Sequence, residues 1–109
     1  MDNIYNKLVR DKIPSIILNN GEEAITRILS DDEYKSELEK KLNEEYQEVL
    51  LASGKERLEE LADMLEVIRY IAKIEGSSLD EIIKIASEKS AKKGAFDNKI
   101  FLVKTRKRK

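Results

Sequence analysis

The chain has 109 residues, 21 basic against 22 acidic, for a formal net charge of −1, so no overall field draws it to nucleic acid or to an anionic membrane. It contains neither cysteine nor histidine, which excludes disulfides, thiolate nucleophiles, cysteine-ligated zinc and every role of imidazole as base or ligand. With 40% apolar residues, 39% charged residues and one proline, it reads as a single helix-rich domain whose chemistry must use carboxylates, lysines, arginines, tyrosines or hydroxyls.

The opening MDNIYNKLV lacks the apolar core of a secretory signal, and no stretch reaches the roughly 20 apolar residues that span a bilayer. The expectation is a cytoplasmic chain with no membrane partner. Pro14 suits a helix start, so Ser15 to Asn19 reads as a short helix closed by Asn20 and Gly21. EEAITRIL, Glu22 to Leu29, has a β-like pattern. Ser30 and Glu33 form the S-x-x-E capping box that opens a long helix to about Leu51, and Ala52-Ser53-Gly54 marks the turn after it.

A second long helix is expected from about Lys55 to Glu75, ending at Gly76. Ser78 and Glu81 repeat the capping pattern for a third, through about Lys92, and Gly94 ends it. KIFLV, Lys99 to Val103, reads as a strand that would pair with Ile25 to Leu29. The expected fold class is therefore all-α: a helical bundle built on an antiparallel helix hairpin, with a short two-stranded β element. One domain covers residues 1–103, and 104–109 form a basic tail that solubilises rather than binds nucleic acid.

The acids are what the helical pattern does not explain. On the helix before the turn, Tyr34, Leu38, Leu42, Val49 and Ala52 make the apolar stripe; Glu45 projects from its middle, Glu48 and Lys41 lie at its margin, and Glu44 points away. On the helix after it, Glu59 and Glu66 fall in a narrow solvent sector with Arg69 and Lys73. Glu60 and Asp63 fall instead on an apolar part, beside Val67. If the helices fold back about Gly54, Glu45 faces Asp63 and Glu48 faces Glu60. Single acids on helices are ordinarily solvated or paired with lysines such as Lys40, Lys41 or Lys55. Four converging between two helices would repel unless something positive sat among them, and a hard divalent cation that takes oxygen ligands suits the set.

These residues carry a resemblance. E-E-x-x-E at Glu44, Glu45 and Glu48, followed by E-x-x-D at Glu60 and Asp63, resembles the signature of the all-α nucleoside triphosphate pyrophosphohydrolases, the MazG-like and phosphoribosyl-ATP pyrophosphohydrolase-like proteins. YNKLVRDKIP at Tyr5 to Pro14, the run from Glu33 to Glu45, and Lys92, Gly94 and Phe96 followed by IFLV are similar to the small phosphoribosyl-ATP pyrophosphohydrolase-like branch. The 11 residues between the acidic motifs are slightly fewer than that pattern has, and Ala95 stands where a second glycine is usual.

The resemblance implies that Glu45, Glu48, Glu60 and Asp63 hold Mg²⁺, with Mn²⁺ as the alternative, and that Glu44 is oriented outward or to a second shell. It implies hydrolysis of a nucleoside triphosphate or phosphoribosyl-ATP-like nucleotide between the α and β phosphates, releasing a monophosphate and pyrophosphate. Glu48 or Glu45 would take the proton of the attacking water; spacing does not separate base from ligand. Lys41 could bind phosphate or equally pair with Glu44 or Glu45. Arg10, Lys12 and Lys93 are further candidates for substrate; Lys93, with Lys89 and Lys92, is accounted for as well by the ordinary preference of lysine for helix C-termini.

The helix from Lys55 to Glu75 is apolar around too much of its circumference for one neighbour to cover, which predicts a homodimer or an assembly of dimers. Two alternatives stand beside the enzyme. One is a nucleotide- or metal-binding regulatory helical module without turnover, and the other is a plain helical scaffold.

Overall fold

Each helix begins and ends where its local chemistry dictates. In a computed structural model, which describes residues 2–108, the chain forms α1 (Ile13–Asn19), α2 (Asp31–Leu51), α3 (Gly54–Ile74) and α4 (Leu79–Lys93). Met1, first residue of the expected domain, and Lys109, last of the expected tail, lie outside the described residues. α1 starts two residues before the expected Ser15, with Pro14 in its first turn, where the missing N–H leaves no hydrogen bond unmade. It closes at Gly21, whose φ of +87° is left-handed. There Gly21 N–H donates to Leu18 O at 3.0 Å and Glu22 N–H to Ile17 O at 3.1 Å, which satisfies the last carbonyls.

α2 opens with a complete capping box: Ser30 Oγ accepts from Glu33 N–H at 3.3 Å, and Glu33 Oε1 accepts from Ser30 N–H at 3.1 Å. Arg27 adds a two-pronged contact to the same carboxylate, at 3.2 and 2.8 Å. Those donors hold Glu33 at a pKa of about 2, the Arg27 bond being the largest cause. Only Ala52 and Ser53 separate α2 from α3. α3 ends as α1 does, with Gly76 N–H donating to Lys73 O and Ser77 N–H to Ala72 O. Ser78 Oγ then accepts from Glu81 N–H at 3.1 Å to start α4.

The chain is all-α, and no strand is present among the described residues. Neither expected strand forms, because neither finds a partner. Residues 22–29 and 99–103 run as irregular chain, with Ile25 and Ile28 at least 90% exposed. A β-like pattern without a pairing neighbour has nothing to receive its backbone hydrogen bonds, and even a lone two-stranded ribbon is marginal in water.

α2 packs on α3, and α3 on α4; α1 touches no other helix. Among the described residues, Leu38, Val49, Val67, Ala72 and Leu79 are the buried apolar side chains. The radius of gyration is 19.3 Å and the extents are 71 × 33 × 23 Å. A self-contained domain of this length would have a radius near 13 Å. Much apolar surface is left uncovered as a result: Leu58, Leu61 and Leu65 on α3, Leu50 and Leu51 at the end of α2, and Ile82, Ile83 and Ile85 on α4 are all exposed. No helix among the described residues is long and apolar enough to cross a membrane.

Candidate metal centre

Glu45 lies on the face of α2 that carries the buried Leu38 and Val49. Its side chain is only 13% exposed, and a carboxylate so placed loses hydration that something must replace. From α3, Glu60 and Asp63 sit one turn apart on one face. Carboxylate oxygens of Glu45, Glu60 and Asp63 all lie within 4.8 Å of one another, and each of the three residues is half-buried. Such proximity is costly for three ionised groups. The Glu45 carboxyl is accordingly pushed above its ordinary value, first by burial and then by Asp63, with smaller contributions from Glu60 and Glu48.

Two cations reach this cluster. Lys41, one turn before Glu45, places Nζ 3.9 Å from both Glu44 and Glu45 and lowers the pKa of Glu45 in part. Arg10, from the segment before α1, donates from its guanidinium to Asp63 Oδ1 at 2.9 Å. All donors in the cluster are hard oxygens, and the three residues together could hold a divalent cation that takes oxygen ligands. Glu48 is exposed and outside the group of three. Glu44 is exposed as well, its carboxylate taken up by Lys41.

Beside the carboxylates lies a cleft of about 190 Å³ between the N-terminal segment and the α2–α3 pair. Leu8, Val9, Arg10 and Asp11 form one wall, Tyr34, Leu38, Lys41 and Glu45 a second, and Asp63, Glu66, Val67 and Tyr70 the third. Burial, then Tyr70 and Asp11, raises the Tyr34 phenol above its usual pKa. Of the side chains expected to bind substrate, Arg10 and Lys41 line this cleft. Lys12 stands at the residue before α1 and Lys93 ends α4; both are exposed and neither lines the cleft.

Glu66 departs from the expectation that it faces solvent. It is half-buried and lines the cleft, where Arg69 holds it at 2.9 Å. Its position three residues after Asp63 was the available signal, since residues so spaced share a face. Asp11 was missed altogether, and nothing in the local pattern of the irregular segment would have placed it.

No protein-family model matches the chain, and no solved structure does. It is similar to a curated protein of Mycolicibacterium smegmatis described as uncharacterized, at 44% identity over 50 residues. That match covers 46% of this chain and 51% of the relative, so it spans about half the length of each.

Proposed function

We propose that the protein is a Mg²⁺-dependent nucleotide pyrophosphohydrolase that works as a homodimer, with Glu45, Glu60 and Asp63 as metal ligands. The observation that supports this most is the meeting of three half-buried carboxylates from two helices within 4.8 Å. They meet beside a cleft that also presents Arg10 and Lys41. The packing of α2 on α3 across a two-residue connection and the sequence resemblance point the same way. A divalent ion, when bound, would neutralise triphosphate charge and activate water.

The chain's own groups supply the rest. Lys41 and Arg10 offer donors to phosphate oxygens at the cleft wall. Tyr34, Tyr70, Leu38 and Val67 offer an apolar surface for the non-phosphate part of the substrate. Glu45, which lines the cleft, is the better-placed acceptor for the water's proton at a carboxylate oxygen; Glu48 faces solvent.

The test is a panel of nucleoside triphosphates, with phosphoribosyl-ATP included, incubated with Mg²⁺. Release of a monophosphate and pyrophosphate, lost in Glu45→Gln, is expected. No turnover of any nucleotide would leave the second reading, a nucleotide- or metal-binding module. One placement favours that module: with Glu48 outside the cluster, no carboxylate there is spared from ligation, so the base would have to be a ligand as well.

A further inference from the structure

Arg10 and Asp63 are 53 residues apart in sequence, and theirs is the one side-chain hydrogen bond among the described residues that joins positions more than six apart. The segment that carries Arg10 has no helix of its own before Ile13, and α1 touches no other helix. It meets the helix pair at the cleft, through the half-buried Leu8 and Val9, through Asp11, and through this ion pair. Asp63 thus serves two ends. It belongs to the carboxylate cluster, and it tethers the segment that forms one wall of the cleft beside that cluster.

We propose that Arg10 is a built-in counter-cation of the cluster, and that a divalent ion entering among Glu45, Glu60 and Asp63 displaces it and frees residues 2–12 from the helices. The inference rests on the metal-site reading above and concerns its regulation. A guanidinium 2.9 Å from Asp63 Oδ1 neutralises part of the charge that a metal would neutralise, and the two cations repel at the separation the cluster imposes. Both partners are about half exposed, at 56% and 44%, so the tether is weak enough for an ion to break. The same event opens the cleft and turns the guanidinium loose beside it, where an anionic substrate can take it up. The strap then reports the metal: it lies closed on the cluster while Arg10 supplies the positive charge, and it opens when an ion does.

The experiment is calorimetric titration of Mg²⁺ into the full chain and into Arg10→Gln, with Lys7→Gln as a variant of equal charge change at an exposed position off the cleft. Tryptic cleavage after Lys7 and Arg10 in the wild type, with and without Mg²⁺, is followed in parallel. Arg10→Gln is expected to bind Mg²⁺ about fivefold tighter, the scale of an exposed pair. Lys7→Gln stays near the wild-type affinity, and Mg²⁺ speeds wild-type cleavage. Weaker or equal binding by Arg10→Gln, or cleavage that Mg²⁺ slows or leaves unchanged, overturns the displacement: Arg10 would then hold Asp63 in place for the metal rather than compete with it. Absence of Mg²⁺ binding in both proteins removes the metal reading itself, an outcome distinct from the other two. The proteolysis arm needs no variant, so a failure of Arg10→Gln to fold does not rescue the proposal.

Discussion

Glu45 and Asp63, 18 positions apart on different helices, are brought close enough for Asp63 to be the largest neighbouring charge that raises the Glu45 carboxyl, after burial itself. The pair is a repulsion built into a half-buried place, so removing one charge has opposite consequences with and without a cation. In chelator at pH 7, Glu45→Gln raises the midpoint of thermal unfolding, since the fold no longer holds an ionised group against its preference. With millimolar Mg²⁺ the order reverses, because the wild type gains binding energy that the variant cannot. A variant stabilised equally in both conditions would point to the plain scaffold.

Acid titration separates the site from the caps. Glu45 has a folded pKa above its unfolded value of about 4.5, so the fold binds the extra proton and stability from this group falls as pH rises through the raised value. Glu33 behaves oppositely. Its folded pKa of about 2 lies below 4.5, so its contribution is present above about 4.5 and is lost as pH falls toward 2. Urea midpoints measured from pH 2 to 7 are expected to fall steeply below about 4.5 in the wild type. In Glu33→Gln the slope of that acid limb is reduced, and in Glu45→Gln it is not.

The cap itself carries a magnitude. Ser30→Ala removes the oxygen that accepts from Glu33 N–H and costs about 1 kcal/mol. Leu38→Ala, at a side chain only 4% exposed between α2 and α3, costs about 2–5 kcal/mol by losing buried area and leaving a cavity. Denaturation curves that ranked the two variants in the other order would mean that Leu38 is not central to the core.

The exposed face of α3 predicts assembly. Leu58→Glu, at a position 68% exposed in the single chain, is neutral if that face meets water and dissociates the dimer if it meets another copy. Sedimentation velocity is expected to show a wild-type dimer and a monomeric or unfolded Leu58→Glu. A monomeric wild type of full helicity would remove the dimer from the proposal.

Helix ends were legible because capping is local: Ser30 and Glu33 answer each other within one turn, and Gly21, Gly76 and Gly94 mark stops that the backbone takes at positive φ. The misplaced acids Glu45, Glu60 and Asp63 were legible because an apolar stripe makes a carboxylate on it conspicuous. The expected approach of Glu45 to Asp63 is met, whereas the strand pairing and the contacts of the N-terminal segment were not legible. Ile25 to Leu29 and Lys99 to Val103 are rich in β-branched and apolar residues, yet pairing is decided by three-dimensional proximity, and they find none. Arg10 was singled out only by resemblance, and its bond to Asp63 spans too much chain for any periodicity to announce. Glu66 was assigned to solvent because the wheel treats α3 as isolated, whereas the N-terminal segment covers that side.

Among the described residues five apolar side chains are buried along an extent of 71 Å, a small core for one chain. If the proposed dimer forms, protein concentration becomes a thermodynamic variable of the fold itself, because the second copy would act as a ligand for the first. Dilution would then loosen α2 from α3 and scatter the very carboxylates that meet between them. Specific activity would fall with enzyme concentration at fixed Mg²⁺ and nucleotide, so the catalytic centre, though built from one chain's residues, would be held together by two.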